Sequence, residues 1–414
     1  MQSNKPSLLI ITHYYPPEIG APQARLSEMA ELWSQSVFQV TVITCFPNHP
    51  TGIIPNKYQG KKYLVEIKNN IKICRCQTFA TPNKGFIKKL IGHLVFMINV
   101  VRQAGKEAKN NNIILVSSPT FFSVISAYWL SKKYNKPYIF EVRDLWPAIF
   151  KELDIIKNKW VLKILETLEL YLYKKAIAVV TVTQSFTENI KKRGILFNKV
   201  YTVSNGVNLE FFKPKQKDIG LIESLSLQNQ FIVLYIGAHG LSHGLEKIVD
   251  VANKLKENRN IHFLFVGEGA KKEELIKKAH QLKLSNISFI SGQPKEKMPD
   301  FYSIADTVLV TLKNIPLFDT FIPSKIFEIM AMEKPIIASL RGESADILKE
   351  SKGALVCEPE DVDATAQNIM TLYNQPEMKS TLGNNGLLYV KRKYDRIRLA
   401  KKYERIFQDI LNRR

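Results

Sequence analysis

The chain has 414 residues, 45% of them hydrophobic and 23% charged, with 59 Lys/Arg against 38 Asp/Glu and a formal net charge of +21. That length suggests two or three domains with cores of their own, and the composition argues against a disordered or fibrous chain. No apolar window of roughly 18 residues is free of charge, so no helix is expected to span a bilayer. Cys45, Cys74, Cys76 and Cys357 make no metal or disulfide pattern, which suits a reducing, cytoplasmic setting.

In chain order, the short apolar run Leu8–Thr12 reads as a buried strand within SLLIITHYY (7–15), not as a signal peptide. A loop, PPEIGAPQAR, and a helix to about Ser36 follow, then the strand VFQVTVITCF (37–46) and a long loop (48–60). KICRCQTF (72–79), NIILVSS (112–118), PYIFEVRD (137–144), AVVTVTQS (178–185) and KVYTVSN (199–205) continue the series, with helical stretches between most of them. A polar stretch (213–230) has the composition of a linker. Beyond it come FIVLYIGAHG (231–240), IHFLFVGEG (261–269), ISFISGQ (287–293), TVLVTL (307–312), PIIAS (335–339) and GALVCEP (353–359). Apolar strands alternating with helices predict parallel sheets covered on both faces. The expected fold class is therefore α/β, with two doubly wound Rossmann-like domains facing across a cleft. The expected bounds are 1–212 and 213–390, with a basic C-terminal helix (391–414) returning to the first domain. Ligands of such sheets bind beyond the strands' C-terminal ends.

The charge is uneven. Residues 1–205 hold 28 Lys/Arg and 12 Asp/Glu, a net of +16, which leaves 31 and 26, a net of +5, for the rest. An anionic partner is expected for the first half, either nucleic acid or an acidic membrane. The segment 85–111 sets Phe86, Ile87, Leu90, Ile91, Leu94, Ile98 and Val101 at helical spacing, flanked by lysines; 157–175, with Trp160, is similar. Basic amphipathic helices with aromatics suit anionic lipid, although packing on a sheet would explain the same pattern. No usual nucleic-acid fingerprint is present.

The most chemical stretch is FIPSKIFEIMAMEKPIIAS (321–339). Pro323 suits a helix start, and Lys325 and Glu328, three apart, share one helical face. A cation beside a helix start suits a pyrophosphate, and a carboxylate one turn deeper can accept from a sugar's hydroxyls. A plain surface ion pair fits the same spacing. The turns IGAHGLSHG (236–244) and FVGEG (265–269) offer glycines for close phosphate approach, but neither is a full dinucleotide fingerprint. In the first half, Gly20 and Arg25 follow the first strand. EVRDLWP puts Arg143 and Asp144 at a strand's end, where a carboxylate could orient an acceptor hydroxyl or cap the next helix.

Taken in order, SNGVN (204–208), YIGAHGLSHGLE (235–246), FVGEG, ISGQPKEKMPDFYSIADTVLV (290–310) and IPSKIFEIMAMEKPIIAS (322–339) resemble the family-4 retaining glycosyltransferases of GT-B architecture. YYPPEIGAPQARLSEMA and EVRDLWP resemble the WbuB-like branch, which builds O-antigen or capsule on lipid-linked acceptors. The resemblance implies that Gly237 and Gly244 line the donor diphosphate and that Glu328 holds the donor ribose. Gly267, Pro294, Pro323 and Ser324 complete the expected donor site. The family's first motif glutamate falls at Thr320, and its basic pair falls at Ala238 and His243. Lys325 is therefore the expected replacement cation, with His243 assisting if protonated. The family's catalytic histidine matches Arg143 approximately, beside Asp144; those two, with Lys325 and Glu328, are the candidate catalytic residues. Gly20, Arg25 and Asp144 are the acceptor-binding candidates.

The resulting expectation is a metal-independent retaining hexosyltransferase without cofactor, cytoplasmic and peripheral on the anionic inner membrane. It would transfer a UDP-activated sugar, such as N-acetyl-fucosamine or N-acetyl-quinovosamine, to a lipid-pyrophosphate-linked acceptor in O-antigen, lipopolysaccharide or capsule synthesis. No nucleic acid is expected as partner. The alternatives are a UDP-sugar epimerase or hydrolase of the same fold, or a basic protein that binds nucleic acid or a membrane surface.

Overall fold

Runs such as SLLII, FIVLYI and IHFLFV become central strands because β-branched and aromatic side chains fill both faces of a covered parallel sheet. The computed structural model describes residues 5–413 apart from 19, 50, 82–85, 119 and 153–154. The chain divides into one unit of 1–205 with 396–414 and a second of 206–395.

The first unit holds β1 (Ser7–Ile11), β2 (Gln39–Cys45), β3 (Tyr63–Lys68), β4 (Ile71–Cys76), β5 (Ile113–Ser117), β6 (Tyr138–Val142), β7 (Ala178–Thr181) and β8 (Val200–Thr202). Their order is β3-β4-β2-β1-β5-β6-β7-β8. Every pairing is parallel except β3 with β4. β3 is not foreseen in the sequence. Its hairpin turns on Asn69 and Asn70, both at positive φ (51° and 61°), as a two-residue turn matched to strand twist requires. That Asn-Asn pair was the signal available.

The second unit holds β9 (Phe231–Ile236), β10 (Ile261–Val266), β11 (Ile287–Ile290), β12 (Thr307–Thr311), β13 (Ile336–Ser339) and β14 (Ala354–Cys357), all parallel, in the order β11-β10-β9-β12-β13-β14. The order reverses between β9 and β12, which makes the ends of those strands the place for a ligand. The fold class is thus α/β, with two Rossmann-like units.

The C-terminal helix Arg396–Asn412 packs into the first unit's core. Leu399, Tyr403, Phe407 and Ile410 join Trp33 there, and the Trp33 indole donates to the Ala400 carbonyl at 3.1 Å. Each such side chain contributes about 1.5–3 kcal/mol by leaving water. The unit bounds fall at 205/206 and 395/396, not at 212/213 and 390/391. The cause is local: the Val207 amide donates to the Tyr394 carbonyl at 3.0 Å, and Phe212 packs edge-on against Tyr302. The expected linker is also folded, with Asp218 capping the helix Ile219–Ser224 and Lys217 paired with Asp306 at 3.0 Å. The segment 85–111 is two helices, Phe86–Gln103 and Gly105–Asn110; Gly85 and the side chains of Phe86 and Ile87 lie outside the described residues.

Candidate functional site

The second unit builds its site from two glycine turns and one helix. Gly237 follows β9 at φ 139°, and a Cβ there would stand 2.7 Å from Lys325 Nζ. Gly267 follows β10 at φ 151°, and its Cβ would fall 1.9 Å from the Gly237 carbonyl oxygen. Only glycine allows the backbones to come this close. The turns are laced by the His239 amide donating to the Glu268 carbonyl and the Lys271 amide to the His239 carbonyl, both at 2.9 Å.

Lys325 is the first residue of the helix Lys325–Ala331. Pro323 lies two residues before that helix, not in its first turn, because the carbonyls of Pro323 and Ser324 accept from Ile326 and Phe327 in tight i→i+3 fashion. The Lys325 ammonium is buried without a hydrogen-bond partner, 4.1 Å above the Tyr235 ring. Burial draws its pKa down to about 8, and Glu328 acts against the drop. Glu328, one turn on, accepts from the buried Tyr302 hydroxyl at 3.0 Å. A water-poor ammonium beside a bare glycine backbone can take an anionic oxygen, and the carboxylate behind it can take hydroxyls.

His243 does not supply the expected charge. Burial pushes its pKa down to about 3, with Lys325 adding to the drop. Its Nδ1 lies 3.4 Å from the Thr311 carbonyl, which can only accept, so the proton sits on Nδ1 and Nε2 is left an acceptor. Gly244, at φ 60°, is the N-cap of the helix Leu245–Lys254. Pro294 opens the turn Lys295–Lys297 and accepts from the Lys297 amide; among the described residues no contact ties it to Lys325. Thr320 donates to the Leu317 carbonyl at 2.7 Å. Sequence reasoning missed His239, which is wholly buried with neither ring nitrogen partnered and is pushed down to about 4 by burial and neighbouring lysines. It also passed over Asp361-Val-Asp363 after β14. Asp361 caps the helix Val362–Asn374 and Asp363 pairs with Lys254, so both carboxylates are engaged.

In the first unit, Arg25, expected to bind the acceptor, is turned into the core with its contacts inside the protein. It is 1% exposed, pairs with Glu141 at 3.1 Å and donates to the carbonyls of Ser204 (2.6 Å) and Val203 (2.8 Å). The pattern of a basic residue on the first helix gave no hint that Glu141 would face it across the sheet. Gly20 is the N-cap of the helix Ala21–Gln35. Arg143 and Asp144 do follow β6 directly. Arg143 is buried with Nη1 unpartnered; burial draws its pKa down to about 10, against the pull of Glu141 and Asp144, so it stays charged. Burial raises the Asp144 carboxyl's pKa, and Arg143 opposes the rise. The Asp144 charge is felt by Tyr14, which packs edge-on against His13 and His49. His93 sits 4.7 Å from His13, and all three imidazoles are held neutral, chiefly by burial. No spacing in the sequence gathers these histidines; the sheet does.

Residues 23–211 match the model for Glycosyltransferase Family 4, and 221–388 match that for Glycosyl transferases group 1. The putative colanic acid biosynthesis glycosyl transferase WcaI of Escherichia coli (strain K12) is 25% identical over 373 residues, 87% of this chain and 91% of that protein. The probable glycosyltransferase WbjE of Pseudomonas aeruginosa is 24% identical over 266 residues, 63% and 66% of the two chains. Among solved structures, sucrose-phosphate synthase from Thermosynechococcus elongatus has a TM-score of 0.79 at 17% identity, covering 99% of this chain and 100% of that one. Anabaena HepE in complex with UDP-glucose has a TM-score of 0.73 at 16% identity, covering 97% and 99%. The chain is therefore a glycosyltransferase of GT-B fold, a Glycosyltransferase Family 4 domain followed by a Glycosyl transferases group 1 domain.

Proposed function

We propose that this glycosyltransferase moves a sugar from a UDP donor to a lipid-pyrophosphate-linked acceptor in bacterial surface-polysaccharide synthesis, with retention and without metal, as in the WbuB-like branch. The donor sugar is taken to be an N-acetyl deoxysugar, and the enzyme works peripherally on the inner membrane. The observation that carries the donor half is the buried, unpartnered Lys325 ammonium laid against Gly237. Among the described residues, such an ammonium has only the Glu328 charge near it and no hydrogen-bond acceptor until a diphosphate arrives. It would then hold the leaving diphosphate's developing charge in a preorganised, water-poor setting. Glu328, steadied by Tyr302, would take the ribose hydroxyls. In the first unit, Asp144 with the charged Arg143 beside it is the candidate for orienting the acceptor hydroxyl.

The relatives support this reading by their names: colanic acid biosynthesis for WcaI and teichuronic acid biosynthesis for TuaH of Bacillus subtilis (strain 168). HepE is described with UDP and with UDP-glucose. The membrane part is supported by the net +16 of residues 1–205; no helix of the described residues is long and apolar enough to cross a bilayer. The test is UDP binding followed by turnover. UDP at about 100 times its dissociation constant should stabilise the fold by about 2.7 kcal/mol with chelator present. A panel of UDP-sugars offered with a prenyl-pyrophosphate-linked N-acetylhexosamine should then show one productive donor. A melting temperature indifferent to millimolar UDP would sink the donor assignment.

A further inference from the structure

At the opposite end of the first unit's sheet from Asp144, where β6, β7 and β8 begin, lies a cavity of about 240 Å³. Lys132, Lys136, Lys175 and Lys199 line it, with the Tyr128 and Tyr138 rings, and no carboxylate does. Lys199 is engaged: its ammonium donates at 3.1 Å to the carbonyls of Lys174 and Ala176, closing the end of the helix Lys159–Lys175. Lys132, Lys136 and Lys175 have no ion-pair partner among the described residues. Lysines in a helix's last turn ordinarily complement the helix dipole. Lys132 and Lys175 lie in the last turns of their helices and Lys199 closes one of those ends, but Lys136 lies beyond the helix Phe121–Tyr134, so helix ends do not account for all four ammonium groups around one hollow.

The surface beside this hollow is of an unusual kind. The helix Lys159–Lys175 already buries Leu162, Leu172 and Tyr173 on its inner side. Its outer side should be polar in a helix that faces only water. Instead Trp160 is 76% exposed, Ile164 66% and Tyr171 43%, set along one stripe. The Tyr171 hydroxyl meets that of Tyr128 at 2.7 Å, which joins the stripe to the neighbouring helix and to the cavity. Trp129, next in the chain, is 51% exposed, with the Lys133 ammonium 5.4 Å from its ring. Outward tryptophan and tyrosine rimmed by unpaired lysine is the chemistry of the headgroup layer of an anionic bilayer.

We propose that the four-lysine cavity binds the phosphate headgroup of an anionic phospholipid, seated when the Trp160–Ile164–Tyr171 stripe enters the bilayer interface. This rests on the membrane part of the function proposed above and locates it. It also separates lipid docking from the Asp144 end of the same sheet, so that the two are open to separate mutation.

The experiment is co-sedimentation of the full chain with phosphatidylcholine vesicles, with and without phosphatidylglycerol. The wild type, Trp160→Glu/Ile164→Glu and Lys132→Glu/Lys175→Glu are compared, with the UDP-induced melting shift as the measure of an intact second unit. The wild type should bind only the anionic vesicles and lose most of that binding in high salt. Both double variants should bind at least tenfold more weakly while keeping the UDP shift. Equal binding by the variants would overturn this site and leave the membrane reading standing; no binding by the wild type would overturn both. Equal binding to neutral vesicles would remove the lysine cavity's role. Protection of the wild type by inorganic phosphate, without vesicle binding, would assign the cavity to a free anion and also overturn the proposal.

Discussion

Both units bury cationic groups, and two of these, Arg25 in the first and the Lys325 ammonium in the second, are treated in opposite ways. Arg25 in the first unit is enclosed by Glu141 and the carbonyls of Ser204 and Val203. Lys325 in the second has an aromatic face and a glycine backbone but no hydrogen-bond acceptor. Taking a charge out of water costs several kcal/mol, and a fold recovers that only through partners. Arg25 has them, so its charge serves the fold. Lys325 lacks them, so its charge is held at a cost to stability, which a ligand anion would offset. A buried cation is thus a structural or a functional residue according to its partners, not its burial.

The comparison can be broken most forcefully at Arg25. Arg25→Met leaves the buried Glu141 with Arg143 as its remaining charge partner, beside the hydroxyls of Ser117 and Tyr403, and should cost about 3–5 kcal/mol in denaturant unfolding; a loss under ~1 kcal/mol would show that the pair is dispensable. Lys325→Met should leave stability unchanged or raised, since a solvent-deprived ammonium is replaced by an apolar chain of similar length. Turnover should fall about 10²–10³-fold, as when a transition-state charge partner is removed. A variant that unfolds, or one that remains fully active, would erase the contrast with Arg25.

The Lys325 pKa sharpens the point. In the folded protein it is near 8, below the ordinary value of 10.5, so the folded state holds fewer protons than the unfolded one between those limits. The cost of the buried charge is therefore full below pH 8 and lifts as pH rises towards 10.5. A bound diphosphate favours the ammonium. UDP affinity should be flat near neutrality and fall up to about tenfold per pH unit above about 8, with proton uptake seen by calorimetry in buffers of differing ionisation heat. Affinity that rises with pH would place the diphosphate elsewhere. The smallest effect is expected for Tyr302→Phe, which removes the hydroxyl donating to Glu328. The donor KM should rise a few-fold, in line with about 0.5–1.5 kcal/mol for one hydrogen bond, with kcat nearly unchanged.

Much of this was legible in the chain. Strand cores such as FIVLYI and PIIAS declare themselves because a strand covered on both faces must be apolar throughout. The spacing of Lys325 and Glu328 marked the helix that carries them. β3 was hidden because its outward residues Tyr63, Val65 and Ile67 make an exposed edge that does not read as a buried run. Asp361-Val-Asp363 was passed over because only its cap and ion pair reveal that both carboxylates are engaged.

What the sequence determined by itself is local or summed over many residues: parallel α/β units, a basic first half, and the family resemblance carried by the glycine turns and the IPSKIFEIMA stretch. What the tertiary structure decided is which partners distant residues meet. Glu141 reaches Arg25 from 116 residues away. Thr311, 68 residues from His243, fixes its tautomer through a carbonyl. Gly237 and Gly267 come together because β9 and β10 run side by side. Partner and burial set charge state and accessibility, and neither is a property of a residue type. For that reason Lys325 emerged as a buried ammonium without a hydrogen-bond partner, whereas Arg25 is enclosed by Glu141 and backbone carbonyls and His243 is held neutral.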